Sequence, residues 1–261
     1  MRYGMIGCGN MGGAIARALS GVTKDMALSD RSGKAKALAL ELAVGYGNNE
    51  ELAERCDYLF LGVKPHMMEA MLLPLRENLQ RRKPVLISMA AGLTLVQIEA
   101  FAGGGIPVIR IMPNTPTALG KGVIPYCHNA WVTEEALALW RRDMACCGLV
   151  DPLPESLIDA ASALSGSGPA YFYVMLEALA DGAVACGLPR DKALRYAAMT
   201  MVGAGEMALA TGKHPGELKD AVCSPGGSTI VGLRELEEHG FRGAVMDCVI
   251  AAWKRNGELG K

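Results

Sequence analysis

Tyr3-Gly4-Met5-Ile6-Gly7-Cys8-Gly9-Asn10-Met11-Gly12 is the stretch that decides the fold. A short apolar run ends in three glycines spaced G-x-G-x-x-G, and a helical pattern follows from Asn10 to Leu19. That is the strand-turn-helix setting of a dinucleotide fingerprint. Gly7 permits the tight bend, Gly9 lets the backbone approach a pyrophosphate, and Gly12 lets the helix lie close to the strand. The first amides of the helix have no partners and add to the positive end of its dipole, so the turn suits an anion.

Outward from this turn, short apolar runs alternate with amphipathic stretches, the form of a βαβ array with a mostly parallel sheet. Strands are expected at 2–6, 26–29, 58–63, 85–89, 107–111 and 122–128. Helices are expected at about 10–20, 32–42, 66–80 and 94–101, with Pro84 and Pro107 at strand starts. A further helix, Thr133 to Cys146, has Thr133 as its cap and Glu134 and Glu135 in its first turn. This is an α/β, doubly wound Rossmann-type domain. Asp151-Pro152-Leu153-Pro154 breaks the pattern, which places a boundary between residues 1–153 and 154–261. Beyond it the chain reads as an all-α domain, with helices such as 170–187 and 192–211 punctuated at 166–169, 187–189, 212–216 and 225–227. Those helices carry more apolar surface than about a hundred residues can hide, so a homodimer through this domain is expected.

The 261 residues have a formal net charge of −1 and no cluster of Lys or Arg, which argues against nucleic acid or an anionic membrane and for a small-molecule partner. Ala170 to Leu188 is apolar enough to raise the question of a membrane span. Glu177 and Asp181 lie on one face of it, and charges at mid-span are costly, so a helix buried in a core or interface is expected, with the two carboxylates turned toward a polar site. These two acids have two readings, orienting a substrate turn or building a buried dimer network, and the structural role is preferred. The N-terminus runs straight into the fingerprint without a signal-peptide pattern, and the expected location is cytoplasmic. Eight cysteines show no metal spacing and read as buried free thiols. His66, His128, His214 and His239 are scattered, with surface or capping roles expected and no metal site. Tyr171 and Tyr173 read as core packing with satisfied hydroxyls.

A second glycine turn, Ser224-Pro225-Gly226-Gly227-Ser228-Thr229, runs into a helix from Thr229 to Glu238 and reads as the substrate turn. After the second strand, Asp30 suits the ribose hydroxyls of NADH, while Arg31 with Ser29, Ser32 and Lys34 suits the 2′-phosphate of NADPH; the residues leave both open. Lys64-Pro65 and Met112-Pro113-Asn114-Thr115-Pro116 emerge at the carboxyl ends of strands, where ligands bind in open sheets.

In combination, Gly7 to Gly12, Val63-Lys64-Pro65, Ala90-Ala91-Gly92, Met112 to Pro116, Ser165-Gly166-Ser167-Gly168-Pro169-Ala170-Tyr171 and Ser224 to Thr229 resemble the pyrroline-5-carboxylate reductases along essentially the whole chain. The resemblance implies an oxidoreductase in which NADPH or NADH delivers hydride to C5 of 1-pyrroline-5-carboxylate, giving L-proline in the last step of proline biosynthesis. It implies a dimer with an interlocked helical domain, often built further into a ring of dimers, a homodecamer. Carried over residue by residue, it puts the pyrophosphate over Gly9, Asn10 and Met11, with Asn49 and Ser29 near the adenosine end. Val63, Lys64 and Pro65 line the dinucleotide toward the nicotinamide, Ala90 and Ala91 join the cofactor set, and Asn114 and Thr115 border the reacting ring. Ser165, Gly168 and Pro169 would face the same cleft. Gly226, Gly227, Ser228 and Thr229 would cradle the substrate carboxylate, with the Thr229 hydroxyl at the ring nitrogen as the catalytic group and the site completed by the partner subunit. Ser228 departs from the Thr or Ala common in the family, a change that its backbone N–H tolerates.

Two rivals fall on particular residues. A β-hydroxyacid dehydrogenase would need a Lys soon after the Ser165–Gly168 turn, and none occurs until Lys192. A nucleotide-sensing regulator would lack the substrate turn, and Ser224 to Thr229 is intact.

Overall fold

A computed structural model describes residues 1–259 and places β1 (Tyr3–Ile6) directly before α1 (Asn10–Ser20), as the opening decad requires. The remaining strands are β2 (Met26–Ser29), β3 (Gly45–Tyr46), β4 (Tyr58–Leu61), β5 (Val85–Ser88), β6 (Val108–Ile111), β7 (Gly122–His128) and β8 (Gly148–Pro152). They form one sheet in the order β3-β2-β1-β4-β5-β6-β7-β8, parallel throughout except for the β6–β7 pair. Side chains alternate across a strand, so each strand feeds two cores. Tyr3, Met5, Phe60, Ile87 and Ile109 pack with α1, α2 (Lys34–Leu42) and α7 (Glu134–Met144) through Ile15, Leu38 and Trp140. Ile6, Leu59, Leu61, Leu86 and Val108 pack on the other face with α3 (Asn49–Arg55), α4 (Met68–Leu72), α5 (Arg76–Arg82) and α6 (Leu95–Phe101) through Leu52, Leu72, Leu79 and Ile98. The doubly wound architecture is therefore present.

Several elements differ from expectation for identifiable reasons. The helix expected over 66–80 is four pieces, with 3-10 turns at Pro65–Met67 and Leu73–Leu75 around α4, because Pro74 has no N–H to give. The helix α3, not anticipated, starts on a capping box: the Asn48 side chain accepts from the Glu51 amide at 2.8 Å while the Glu51 carboxylate accepts from the Asn48 amide at 3.3 Å. Thr133 caps α7 as expected, accepting from the Ala136 amide at 3.2 Å. The strand β8 takes up residues that read as a break, since an edge strand tolerates Pro152. The punctuation expected at 166–169 is not a loop. Helix α8 (Glu155–Ala161) is followed by a π-helical turn, Ser162–Gly166, and α9 (Gly168–Ala185) begins two residues later with Pro169 in its first turn, where proline is tolerated.

The chain divides into two compact units, one of Met1–Ser167 together with the stretch from Ala251, the other of Gly168–Ile250. In the first, α8 is held to the sheet by Arg110 of β6, which pairs with Asp159 at 2.7 Å and Glu155 at 3.4 Å. The Glu155 carboxylate also accepts from the Leu95 amide at 2.7 Å. The second unit is all helical: α9, α10 (Arg190–Thr211), α11 (Pro215–Ala221), α12 (Ser228–Glu238) and the beginning of α13 (Phe241–Leu259). Tyr171 donates its hydroxyl to the Cys248 carbonyl at 3.3 Å, as a packed tyrosine should. Tyr173 does not join a core in the single chain, being 63% exposed alongside Phe172, Val174, Met199, Val202 and Leu209. Asp181 forms an ion pair with Arg190 at the start of α10, and Glu177 is exposed, so in the single chain neither is turned toward a polar site. Four of the eight free cysteines are buried, namely Cys8, Cys56, Cys127 and Cys147, and the other four are not. Among the described residues no helix is long and apolar enough to cross a membrane, and no three His, Cys, Asp or Glu side chains gather as a metal site.

Candidate active site

The sheet order reverses direction between β1 and β4, and the glycine turn sits at that switch, where open α/β sheets bind ligands. Gly7 has φ +94°, and a Cβ on it would lie 2.6 Å from the Gly62 carbonyl oxygen, so both conformation and space require glycine. Its amide donates to the Ser29 carbonyl at 2.8 Å, and the Gly62 amide donates to the Ile6 carbonyl at 2.7 Å, which draws the carboxyl ends of β1, β2 and β4 together. At Gly12 a Cβ would fall 2.1 Å from the Gly7 carbonyl oxygen, whereas at Gly9 nothing lies within 4 Å. The third glycine thus serves packing, and the second leaves an open approach. Gly9 is the N-cap of α1 without a side-chain cap, so the amides of Asn10, Met11 and Gly12 lack helical partners beside the open space at Gly9, the arrangement that suits an anion.

At the end of β2, Ser29 donates its hydroxyl to the Asn49 side-chain oxygen at 2.7 Å, bringing together the two residues expected at the adenosine end. Asp30 is committed locally: its carboxylate accepts from the Ser32 amide at 3.2 Å, the Ser32 hydroxyl at 3.0 Å and the Ala35 amide at 3.0 Å. It organises the entry to α2. Arg31 and Lys34 are exposed beside it. Burial, and secondarily Asp30, pushes the Cys8 thiol up to about 12, so this cysteine of the turn stays protonated and unreactive near neutral pH.

Val63 and Pro65 are half-buried and Lys64 exposed just beyond β4; Ala90 is buried and Ala91 half-buried beyond β5. Thr115 is exposed beyond β6. Asn114 is 7% exposed and both ends of its amide are engaged by the protein: Oδ1 accepts from the Val123 amide at 2.9 Å and Nδ2 donates to the Ser165 carbonyl at 2.9 Å. The Ser165 hydroxyl turns back to the Ala161 carbonyl at 2.8 Å. Arg110, the one charge in Val108-Ile109-Arg110-Ile111, is the polar group that sequence reading passed over, and its isolation in an apolar strand was the available signal.

In the helical unit, Gly226 has φ +68° and Gly227 is the N-cap of α12, again without a side-chain cap. The Gly227 amide donates to the Ser224 carbonyl at 3.0 Å, closing the turn. The amides of Ser228, Thr229 and Ile230 are then free for an anion, with the exposed Thr229 hydroxyl in the same first turn. Gly168 is buried and Pro169 half-buried where α9 opens. His214 accepts from the Gly216 amide at 3.1 Å and caps α11, in keeping with its expected role.

A 3-2-1-4-5-6 sheet core with glycine turn and uncapped helix at the switch point, followed by an all-helical unit with a second uncapped turn, defines a Rossmann-type, dinucleotide-dependent oxidoreductase. Residues 2–92 match the family model described as NADP oxidoreductase coenzyme F420-dependent, and residues 155–259 match that described as pyrroline-5-carboxylate reductase dimerisation. The pyrroline-5-carboxylate reductase of Pisum sativum is 41% identical, over 98% of this chain and 95% of its own. That of Escherichia coli K12 is 37% identical, over 100% and 98%. The solved Plasmodium falciparum pyrroline carboxylate reductase with NADP bound superposes with a TM-score of 0.89 at 31% identity, covering 100% of this chain and 98% of that one. The chain belongs to the pyrroline-5-carboxylate reductase family.

Proposed function

We propose that the chain reduces the C=N bond of 1-pyrroline-5-carboxylate to L-proline, the last step of proline biosynthesis, with a reduced nicotinamide dinucleotide. The observation that carries this reading is a family likeness spanning 98% of the chain, both glycine turns included. When bound, the dinucleotide supplies hydride to C5 of the substrate. The chain's own task is mostly orientation. The open approach at Gly9 and the unpaired amides of Asn10, Met11 and Gly12 fit a pyrophosphate, with Gly7 shaping the turn. Ser29, Arg31 and Asn49 serve the adenosine end, with Asp30 shaping the entry to α2, and Val63, Lys64, Pro65, Ala90, Ala91 and Thr115 border the rest, while Asn114 ties the loop beyond β6 to Val123 and Ser165. Arg31 and Lys34 favour NADPH, since the Asp30 carboxylate is already taken by Ser32 and Ala35.

Gly226 and Gly227 shape the turn that presents the first α12 amides, from Ser228 onward, to the substrate carboxylate, with Ser165, Gly168 and Pro169 shaping the substrate side. Thr229 hydrogen-bonds the ring nitrogen and holds its proton; an imine carbon accepts hydride readily once its nitrogen is protonated. The domain division at 154 is supported by the family match beginning at 155. The exposed apolar side chains of α9 and α10 support a homodimer, and a ring of dimers extends this reading by family resemblance. The cytoplasm is the assigned compartment, where eight free thiols stay reduced.

Purified protein mixed with DL-1-pyrroline-5-carboxylate and each reduced nicotinamide in turn should consume cofactor absorbance, faster with NADPH. No consumption of either cofactor would overturn the assignment.

A further inference from the structure

An α-helix satisfies each carbonyl with the amide four residues on. For Ser165 that residue is Pro169, which has no N–H. The Ser165 carbonyl lies in the π-helical turn that leads into α9, so the amide in α register with it has no proton to give, and the structure supplies a donor from 51 residues away in sequence: Asn114 Nδ2, at 2.9 Å. The other end of the same amide takes the Val123 amide at 2.9 Å, so Asn114 joins the loop after β6, the start of β7 and the π turn. Asn114 is 7% exposed, and in this arrangement one donor of its NH2 group and its oxygen are both committed to the protein. Arg110, four residues earlier, grips Asp159 and Glu155 on the helix leading into that turn.

We infer that Asn114 is a positioning residue: it replaces the hydrogen bond that Pro169 cannot give and so sets the Ser165–Gly166 turn, acting on the substrate side of the reaction without binding the nicotinamide. This rests on the proposed imine reduction for its kinetic consequence. The hydrogen-bond complementarity between Asn114 and Pro169 is independent of any activity, so one arm of the test stands without it.

Asn114→Asp keeps an acceptor for the Val123 amide and removes the donor to Ser165. It is expected to lower kcat/KM for 1-pyrroline-5-carboxylate at least tenfold while leaving the NADPH Kd, measured by fluorescence titration, within twofold of the parent. A Kd that rises in step with the loss of kcat/KM would overturn the proposal by making Asn114 a cofactor ligand. Pro169→Ala returns an N–H beneath the Ser165 carbonyl, so the fall in Tm caused by Asn114→Asp should shrink in the Pro169→Ala background. Equal falls in both backgrounds would also overturn it. If Asn114→Asp alone does not fold, the double variant is expected to recover folded protein, and its failure to do so counts equally against the proposal.

Discussion

Two methyl groups placed three residues apart in the first glycine turn are expected to fail in different ways. In Gly12→Ala the new Cβ would stand 2.1 Å from the Gly7 carbonyl oxygen, where ordinary contact begins at 3.4 Å, so α1 must retreat by more than an ångström from a backbone atom that has no rotamer to change. Overpacking of this kind costs about 1–3 kcal/mol, against which the better helix propensity of Ala returns roughly 1 kcal/mol. At about 2–4 °C per kcal/mol for a chain of this size, Tm should fall by a few degrees, and NADPH binding should weaken as the turn is displaced. Gly9→Ala meets nothing within 4 Å and sits at φ −68°, which any residue adopts. Its stability should stay within about 1 kcal/mol of the parent, the modest loss of a cap residue. The methyl nevertheless occupies the approach to the α1 amides, and NADPH Kd should rise at least tenfold, about 1.4 kcal/mol. Calorimetric Tm and titration with NADPH read the two effects separately. A Gly9→Ala protein that binds NADPH like the parent would refute the reasoning, because the open space would then not be where the pyrophosphate lies.

Arg31→Ala should lower the kcat/KM ratio of NADPH to NADH by roughly tenfold, the scale of one charge-assisted contact to phosphate, and an unchanged ratio would remove Arg31 from cofactor choice. Arg110→Ala leaves Glu155 and Asp159 facing the sheet without their buried cation and should destabilise by about 3 kcal/mol in urea unfolding; loss below about 0.5 kcal/mol would mean the pairs do not hold α8. Burial pushes Cys8, Cys56 and Cys127 from 9.0 to about 12, so the folded chain keeps protons that the unfolded chain releases. Their contribution is complete below pH 9 and is lost as pH climbs toward 12, by up to about 1.4 kcal/mol per thiol for each unit, so the urea midpoint should drop between pH 8 and pH 10. A midpoint independent of pH over that interval would contradict it.

Much of the first unit was legible because its signals are local. Short apolar runs gave β1, β2, β4, β5, β6 and β7 within a residue or two, and glycine spacing located the turn at the switch point. The capping box at Asn48 and Glu51 was equally local and announced α3, although the eye passes over a seven-residue helix between weak strands. Proline misled in both directions: Pro152 concealed an edge strand that tolerates it, and Pro74 interrupted a helix that periodicity alone carried through to residue 80. The antiparallel seating of β7 depends on which neighbour it pairs with, a fact outside any window of sequence.

Sequence by itself determined where backbone amides are left without helical partners, in the first turns that follow Gly9 and Gly227, because helix starts and glycine conformations are properties of a few adjacent residues. Only the tertiary structure decided how the remaining polar groups are used: Asp30 on its own helix entry, Arg110 on α8, Asn114 on the Ser165 carbonyl. A buried donor must find an acceptor wherever the fold brings one, and for Asn114 that acceptor lies across a separation at which no spacing rule operates.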